Sequence, residues 1–170
     1  HLALVQIERH LLAKRGRFTL LTQNVDRLHQ KAGSRNVVEL HGSIVEWRCT
    51  DCGRRTVPGA DAMPVFPPPS PCCAKGALLR PDVVWFGEML PEAALAAADE
   101  AVSDCDLFFS IGTSGLVQPA ASYIHHAARG GAKTIEINKD PTPISGMVDW
   151  SIMGKSGEVL PALVHAAFPR

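Results

Sequence analysis

The sequence predicts an α/β protein built on a doubly wound parallel sheet, with a small metal-binding insert. Three observations predict it. Short apolar runs that suit buried strands alternate with helical patterns along most of the chain. Residues 45 to 80 interrupt this alternation with cysteine, glycine and proline. Two of the apolar runs end in polar residues, and ligands bind at the carboxyl ends of strands in such sheets.

The first third of the chain supplies a helix and two strands. The opening helical pattern ends at Gly16, a residue that allows a helix to stop. The apolar runs at residues 18–21 and 37–40 predict short buried strands. Between them, Asp26 is placed to cap a short helix that closes at Gly33.

The rest of the chain repeats a strand-then-helix order. Apolar runs predict an extended segment at residues 83–86 and strands at residues 107–111 and 134–137. Helical patterns predict helices at residues 91–102, 120–129 and 157–167. Such alternation is typical of parallel strands joined by helical crossovers.

Composition excludes several classes of function. The 170 residues carry 17 basic and 17 acidic side chains, so the formal net charge is zero. A neutral chain has no electrostatic reason to bind nucleic acid or an anionic membrane, and no apolar run approaches the roughly 18 residues of a membrane span. We expect neither as a direct partner. With no visible signal peptide, the expected location is the cytoplasm, or a mitochondrion if the source is eukaryotic.

Four of the five cysteines predict a structural zinc site in a reducing compartment. Cys49 and Cys52 form a Cys-x2-Cys pair, and Cys72 and Cys73 follow later. Four thiolates suit a tetrahedral zinc and leave no open position for chemistry. The second pair is irregular, because Ser70 stands where a regular pair would place a cysteine. The alternative is that zinc binds poorly or not at all.

A polar cluster follows the first two predicted strands. The segment Thr22-Gln23-Asn24-Val25-Asp26 comes after the first strand, and His41 ends the second. Because such strand ends bind ligands in open α/β sheets, these side chains predict a ligand site. The alternative is that Asn24 and Asp26 only cap the next helix.

Six segments in order make the chain resemble the sirtuins, which are NAD-dependent protein-lysine deacylases. They are Thr22-Gln23-Asn24-Val25-Asp26, Leu40-His41-Gly42-Ser43, the cysteine pairs, residues 79–88, Gly112-Thr113-Ser114 and Glu136-Ile137-Asn138. The resemblance covers essentially the whole chain. The form Val-Val-Trp-Phe-Gly-Glu is most similar to the bacterial and mitochondrial branch that includes desuccinylases. The resemblance implies a Rossmann-like NAD-binding domain over residues 1–44 and 83–170, interrupted by a zinc-binding insert over residues 45–82.

The resemblance also implies a role for each polar residue. His41 matches the family's general base, a task that suits an imidazole because its ordinary pKa lies near neutrality. Asn24 and Asp26 share the catalytic centre with it: a buried aspartate there can accept from the carboxamide of NAD, and the asparagine can hold a ribose hydroxyl or a water. Cofactor contacts are expected at Gln23, Asn24, Val25, Asp26, Gly112, Thr113, Ser114, Asn138, Lys139, Asp140 and Ser156. For Ser156 an ordinary helix start is the alternative.

An acyl-lysine protein or peptide is the implied substrate. It is expected to add itself as a strand along Val84, Phe86, Gly87 and Glu88, with Phe86 forming part of the acyl-lysine channel. The alternative for Phe86 is plain core packing, and for its neighbour Trp85 core packing is what we expect. The implied reaction removes an acetyl or succinyl type of group from lysine and converts NAD to nicotinamide and O-acyl-ADP-ribose.

One family feature has no counterpart in this chain. The glycine-rich first βα turn, which would hold the NAD pyrophosphate, is absent, and the family's acyl-selecting Tyr and Arg belong to the same stretch. We therefore expect an incomplete sheet, a truncated or processed chain that is unstable alone, and no readable acyl preference. Two alternatives stay open: a non-catalytic NAD- or peptide-binding remnant, and a zinc-organised interaction domain.

Overall fold

The computed structural model describes residues 1–59, 65–73 and 76–168, and the following statements concern those residues. They form five α-helices, eight strands and a 3-10 turn at Ala120–Ser122. In chain order the helices and strands are α1 Leu2–Ala13, β1 Leu20–Thr22, α2 Leu28–Ala32, β2 Val37–Glu39, β3 Gly42–Cys49, β4 Arg55–Thr56, β5 Leu79–Val83, α3 Glu92–Ser103, β6 Leu107–Ile111, α4 Tyr123–Arg129, β7 Lys133–Asn138, β8 Trp150–Met153 and α5 Ser156–Ala167.

Parallel pairing confirms the predicted fold class. Strand β1 pairs with β2 in parallel, and β6, β7 and β8 form a second parallel group in that order. Ile137 of β7 lies opposite Ile111 of β6 on one side and Ile152 of β8 on the other. Their shared direction places the carboxyl ends of β6, β7 and β8 at the same edge.

Helices cover both faces of the parallel strands. On one face, Ala98 and Val102 of α3 and Ala127 of α4 pack in a core with Phe108 of β6 at its border. On the other face α1 and α5 pack together, and the next residue of β6, Phe109, borders that core. Successive side chains of a strand point to opposite faces, so β6 contributes to both cores and the sheet is doubly wound as predicted.

The cysteine-containing part forms a small antiparallel sheet of its own. Strand β3 pairs with β4 on one side and with β5 on the other. Its core consists of Trp47, Cys49 and Leu79, with Cys72 and Cys73 packed against them. Strand β3 spans the expected boundary at residues 44 and 45, and β5 spans the one at residues 82 and 83. The division into an insert and a flanking domain stays a prediction.

Several element boundaries differ from the sequence prediction. Strands β3, β4 and β8 were not predicted. The extended segment expected at residues 83–86 is instead the strand Leu79–Val83 followed by a turn, in which the Glu88 amide donates to the Trp85 carbonyl. The first strand begins at Leu20. The Phe18 carbonyl accepts a hydrogen bond from the Asn36 side-chain amide instead of pairing with a neighbouring strand.

The helices of the described segments have at most 12 residues. None of them is long and apolar enough to cross a membrane.

Candidate functional site

The polar segments that follow β1, β2, β6 and β7 lie at the carboxyl ends of parallel strands. The Leu40 amide, just after β2, donates to the Thr22 carbonyl at the end of β1 at 2.9 Å. The Gly112 amide, just after β6, donates to the Ile137 carbonyl near the end of β7, also at 2.9 Å. These bonds align the ends of β1 and β2, and the ends of β6 and β7. The side chains that follow each pair of strands therefore lie at the carboxyl-terminal edge of that pair.

His41 is oriented by the main chain of the segment that follows β1. Its ring nitrogen Nδ1 lies 3.1 Å from the backbone carbonyl oxygen of Gln23. A carbonyl oxygen only accepts hydrogen bonds, so Nδ1 carries the proton in this bond, and in the neutral ring the lone pair is on Nε2. The ring is half-buried. A histidine held in this way can accept a proton at Nε2, as a general base must.

The backbone on both sides of His41 is also fixed. The His41 carbonyl accepts the Val84 amide at 3.0 Å, which ties the end of β2 to the segment that follows β5. The next residue, Gly42, has φ of +72°, and an added Cβ there would lie 2.0 Å from the Asp82 carbonyl oxygen. Only glycine allows this approach of the two strands.

A chain of side-chain contacts connects the ends of β1, β6 and β7. The Gln23 amide nitrogen lies 3.5 Å from the Thr113 hydroxyl. The Asn138 amide donates to the Thr113 carbonyl at 2.7 Å, and its oxygen accepts from the Lys139 amide at 2.9 Å. Gly112 has φ of +61°, and an added Cβ there would meet no atom within 4 Å. The structure thus brings Gln23, Thr113 and Asn138 together, with open space beside Gly112.

Asn24 and Asp26 are exposed, which corrects the expectation of a buried aspartate. An Asp26 carboxylate oxygen accepts the Leu28 amide at 3.0 Å in a turn that leads into α2. The N-cap residue of α2 is Arg27, which makes no side-chain capping bond, so the alternative that Asn24 and Asp26 cap the helix is not observed in this form. The Val25 carbonyl accepts the Ile44 amide at 2.9 Å and the Asn24 amide donates to the Thr22 hydroxyl at 3.1 Å. The contacts of this segment with a cofactor stay a prediction.

The remaining cofactor candidates lie near the end of β7. Ser114, Lys139 and Asp140 are exposed in the turns that follow β6 and β7. Ser156 is half-buried and is the first residue of α5. Two residues before it, the Gly154 amide donates to the Asn138 carbonyl at 2.8 Å, so the start of α5 is close to the end of β7.

The candidate peptide-binding turn projects outward from the end of β5. Phe86 is fully exposed, and Gly87 has φ of +88°. The expectation that Trp85 is a core residue is wrong: its side chain is 57% exposed and lies beneath the Arg80 guanidinium, 3.8 Å from its carbon to the ring centroid. The Glu88 carboxylate is engaged by arginines of the small sheet.

The four predicted metal ligands lie together. The sulfur atoms of Cys49, Cys52, Cys72 and Cys73 are all within 4.8 Å of one another. Zinc bound to four sulfurs at about 2.3 Å would place them about 3.8 Å apart, so the cluster fits one tetrahedral zinc. The adjacency of Cys72 and Cys73 does not keep either sulfur out of the cluster.

Ser70 supports the cysteine cluster instead of interrupting it. Its hydroxyl lies 3.2 Å from the Cys72 sulfur. Hydrogen bonding from Ser70 lowers the pKa of Cys49 to about 6, whereas the hydrogen bond with Cys52 raises the pKa of Cys73. A zinc dication would allow all the thiols to ionise, because a coordinating thiol loses its proton.

Sequence reasoning missed two charged networks that support the site. Arg27, in the left-handed region at φ of +57°, donates to Glu39 at 3.0 Å and to Glu46 at 2.7 Å, and these carboxylates raise its pKa. It therefore ties the segment after β1 to β2 and β3. Glu136, buried in β7, accepts from the hydroxyls of Thr142, Ser145 and Ser151 and fixes the turn that carries Lys139 and Asp140. Glu136 belongs to one of the six segments named in the sequence, but the partners of both Glu136 and Arg27 become neighbours only in the folded chain, so no local signal could have identified the two networks.

Known proteins match the chain closely. The model of the Sir2 family matches residues 1–119. A protein of Thermus thermophilus named NAD-dependent protein deacylase is 47% identical over 152 residues, which are 89% of this chain and 58% of the relative. NAD-dependent protein deacylase 1 of Archaeoglobus fulgidus is 46% identical over 97% of this chain and 65% of its own length.

Solved structures agree with the sequence matches. A crystal structure of a Sir2 homologue in complex with NAD superposes with a TM-score of 0.84 at 44% identity, covering 97% of this chain and 63% of that one. Sir2 bound to acetylated peptide gives 0.87 at 30% identity, covering 98% of this chain and 70% of that one. The chain spans about three fifths of the length of the curated relatives named above. By its sequence and its fold, the chain belongs to the Sir2 family.

Proposed function

We propose that this chain carries the base-containing part of the active site of an NAD-dependent protein-lysine deacylase. The reaction removes an acyl group from lysine and gives nicotinamide and O-acyl-ADP-ribose. The observation that carries the proposal is the 3.1 Å bond between His41 Nδ1 and the Gln23 carbonyl at the sheet edge. It supplies an oriented base beside the segments expected to hold the cofactor. The relatives in Thermus thermophilus and Archaeoglobus fulgidus bear the name NAD-dependent protein deacylase, which supports this proposal.

NAD would supply an activated ribose carbon with nicotinamide as its leaving group. The residues suited to hold its nicotinamide-ribose part are Gln23, Asn24, Val25 and Asp26. The rest of the cofactor would lie beside Gly112, near the polar groups of Thr113, Ser114 and Asn138; the open space at Gly112 supports this. Lys139, Asp140 and Ser156, which lie near the end of β7, would lie beside this part of the cofactor.

The role of His41 follows from its tautomer. With the proton on Nδ1 held by the Gln23 carbonyl, Nε2 is the acceptor that can take a proton from a ribose hydroxyl. The hydroxyl oxygen then becomes nucleophilic enough to receive the acyl group. Asn24 would orient that hydroxyl or a water through its amide, and Asp26 would accept from the carboxamide with a carboxylate oxygen.

The acyl-lysine substrate is proposed to lie along Val84, Phe86, Gly87 and Glu88. The hydrogen bond between the Val84 amide and the His41 carbonyl places the start of this segment beside the base. The fully exposed Phe86 ring offers an apolar wall to the methylenes of the lysine side chain. Main-chain pairing would give affinity with little sequence selectivity.

One structural zinc is proposed to be held by Cys49, Cys52, Cys72 and Cys73. Four thiolates would fill its coordination sphere, so its contribution is to the stability of the small sheet and not to the reaction. Because such a site requires reduced thiols, we propose a cytoplasmic location.

The test uses the protein at its natural length with two peptides of one sequence, acetylated or succinylated on a single lysine. We expect deacylated peptide, nicotinamide and O-acyl-ADP-ribose in equal amounts by mass spectrometry, and none without NAD or with unmodified peptide. NAD binding without product would replace the proposal with a binding function. One bound zinc with no NAD binding would indicate an interaction domain.

A further inference from the structure

We propose that Arg80 and Glu88 form a clamp that holds the turn at residues 84–87 in its substrate-binding shape, so that they set the affinity for the acyl-lysine peptide without contacting the cofactor. This inference rests on the proposed function, because it assigns a positioning role within the same peptide site. Glu88 was expected to contact substrate, but its carboxylate is engaged within the protein.

The turn at residues 84–87 has few interactions within itself that would hold its shape. Trp85 and Phe86 are both exposed, so neither side chain buries the turn. Gly87 has φ of +88° and, as a glycine, can adopt many other backbone conformations. Within the turn, a hydrogen bond of 2.9 Å runs from the Glu88 amide to the Trp85 carbonyl. A segment of this kind is mobile unless other side chains fix it.

Glu88 fixes the turn from its far end. Its Oε2 accepts the backbone amide of Trp85 at 3.1 Å, which closes a ring between the side chain and the turn that precedes it. The same carboxylate binds the Arg80 guanidinium through both oxygens. These bonds hold the pKa of Glu88 at about 2, chiefly through Arg80, so the carboxylate stays ionised at every pH where an assay is run.

Arg80 fixes the turn from its near end. It lies on β5, and its Nη2 donates to the Val83 carbonyl at 2.8 Å while also binding Glu88. Its guanidinium carbon lies 3.8 Å from the centroid of the Trp85 ring, a geometry that is favourable for a cation beside an aromatic face. The planar guanidinium thus contacts the strand, the turn and the carboxylate at once, which a lysine ammonium cannot do.

The clamp is partly shielded from water and is anchored to the small sheet. The side chains of Arg80 and Glu88 are 17% and 31% exposed, so their pairing is less screened than that of a surface pair. Arg48 of β3 adds a bond of 3.3 Å to Glu88 Oε2. The turn is therefore connected to β3, next to Cys49, as well as to β5.

The bonds of the clamp do not involve the groups that connect β1, β6 and β7. Gln23, Thr113 and Asn138 are bonded among themselves. Weakening the clamp should therefore change peptide binding more than NAD binding. A residue that only supports overall folding would affect both.

The test compares Glu88→Gln with the protein at its natural length. Glutamine keeps the size and one acceptor oxygen but loses the charge that binds Arg80. We expect the KM for acetyl-lysine peptide to rise about tenfold, the effect of losing one charge-assisted hydrogen bond, while the KM for NAD changes less than about twofold. Arg80→Lys should give the same split. The double variant Arg80→Lys with Glu88→Gln should be no worse than the weaker-binding single variant, because the two residues act as one unit.

Asp104→Asn is the matched control, because it breaks another arginine–carboxylate pair, Arg17 with Asp104, on the exposed surface. It should leave both KM values unchanged. Equal rises in both KM values for Glu88→Gln, or an unchanged peptide KM in an active enzyme, would overturn the clamp.

Binding of a fluorescein-labelled acetyl-lysine peptide separates this inference from the proposed function. If the wild-type protein binds the peptide but does not turn it over, the proposed function fails while the Kd of the variants still tests the clamp. A Kd in Glu88→Gln equal to that of the wild type would overturn the clamp alone. No peptide binding by the wild type would overturn both.

Discussion

The imidazole of His41 is held by a main-chain atom, the carbonyl oxygen of Gln23, at 3.1 Å from Nδ1. Because the acceptor belongs to the backbone, its position depends on the pairing of β1 with β2 and not on the identity of a side chain. That pairing is tight at this end, where the Leu40 amide donates to the Thr22 carbonyl at 2.9 Å. Accurate strand pairing is therefore what selects the tautomer of the proposed base.

Gly42→Ala should destabilise the protein and abolish turnover. An alanine Cβ would lie 2.0 Å from the Asp82 carbonyl oxygen at a backbone φ of +72°, so β3 and β5 would have to separate beside His41. We expect a loss of at least about 2 kcal/mol in the free energy of unfolding, measured in urea.

Gly131→Ala is the matched control for the effect of φ alone. It has φ of +94° with no atom within 4 Å of the added Cβ, and should cost about 1 kcal/mol. Equal losses in the two variants would contradict the close approach of the strands at Gly42.

Asn138→Ala should weaken NAD binding about tenfold and leave peptide binding unchanged. Its amide holds the Thr113 carbonyl at 2.7 Å, so the alanine variant would release the turn after β6. The expected loss of stability is about 1 kcal/mol, as for one hydrogen bond.

Asn36→Ala serves as the control, since the Asn36 amide makes two bonds of 2.9 Å to Phe18 and Thr19 just before β1 and β2 begin. Calorimetric titration with NAD should distinguish the two variants. If Asn36→Ala weakened NAD binding as much as Asn138→Ala, the assignment of Asn138 to the cofactor site would be wrong.

Asp149 should contribute stability at neutral pH that disappears in acid. Lys133, with help from the amide and hydroxyl of Thr134, lowers the pKa of Asp149 from 3.8 to about 2. A carboxylate with a lowered pKa stabilises the folded state above its unfolded pKa and loses that effect as the pH falls through its folded pKa.

The measurement for Asp149 is the difference in Tm between the wild type and Asp149→Asn across pH. The difference should be constant from pH 8 to 5 and should shrink between about pH 4 and pH 2. A difference that grew in acid would show that the sign of this linkage is wrong.

Removal of zinc should unfold the small sheet. Its buried hydrophobic core contains only Trp47, Cys49 and Leu79 among the residues described, too few to be stable without the metal. We expect one zinc per chain by elemental analysis, and a chelator should lower the Tm.

Cys49→Ser should lose the zinc, whereas Cys105→Ser should retain it. Cys105 donates to the Val102 carbonyl at 3.3 Å and lies outside the cluster, so it controls for loss of a thiol. Full zinc occupancy in Cys49→Ser would refute the four-sulfur site.

Local apolar runs made much of the parallel sheet predictable. Strand β6 has the predicted bounds, Leu107–Ile111, because it is nearly all apolar, and its two phenylalanines border the cores on opposite faces of the sheet. Strand β3 was missed because it lacks a regular alternation of buried and exposed residues: Ile44 and Val45 are both exposed, and its pairing with β5 is irregular between Ser43 and Trp47. Strand β8 was missed because it mixes polar and apolar residues and lies at the edge of its sheet.

The candidate site was predictable where short motifs carry it. His41, Gln23 and the four cysteines could be named as candidates because each lies in a compact segment with chemical meaning. The structure brings the four cysteines together, and the roles of His41 and Gln23 stay predictions. The clamp of Arg80 and Glu88 was not, because its residues are adjacent only after the turn at residues 84–87 has formed. Exposure of Trp85 was missed for the same reason: an apolar run predicts burial, and the guanidinium over the ring cannot be inferred from spacing.

The most direct test of the account is turnover by His41→Ala of the protein at its natural length, measured together with its affinity for NAD. Loss of the base should reduce the rate of O-acyl-ADP-ribose formation by about 10²- to 10⁴-fold. The Kd for NAD should stay within about twofold of the wild type, because the groups bonded at Gln23, Thr113 and Asn138 remain. Wild-type turnover by His41→Ala would contradict the assignment of the base and the proposed mechanism with it.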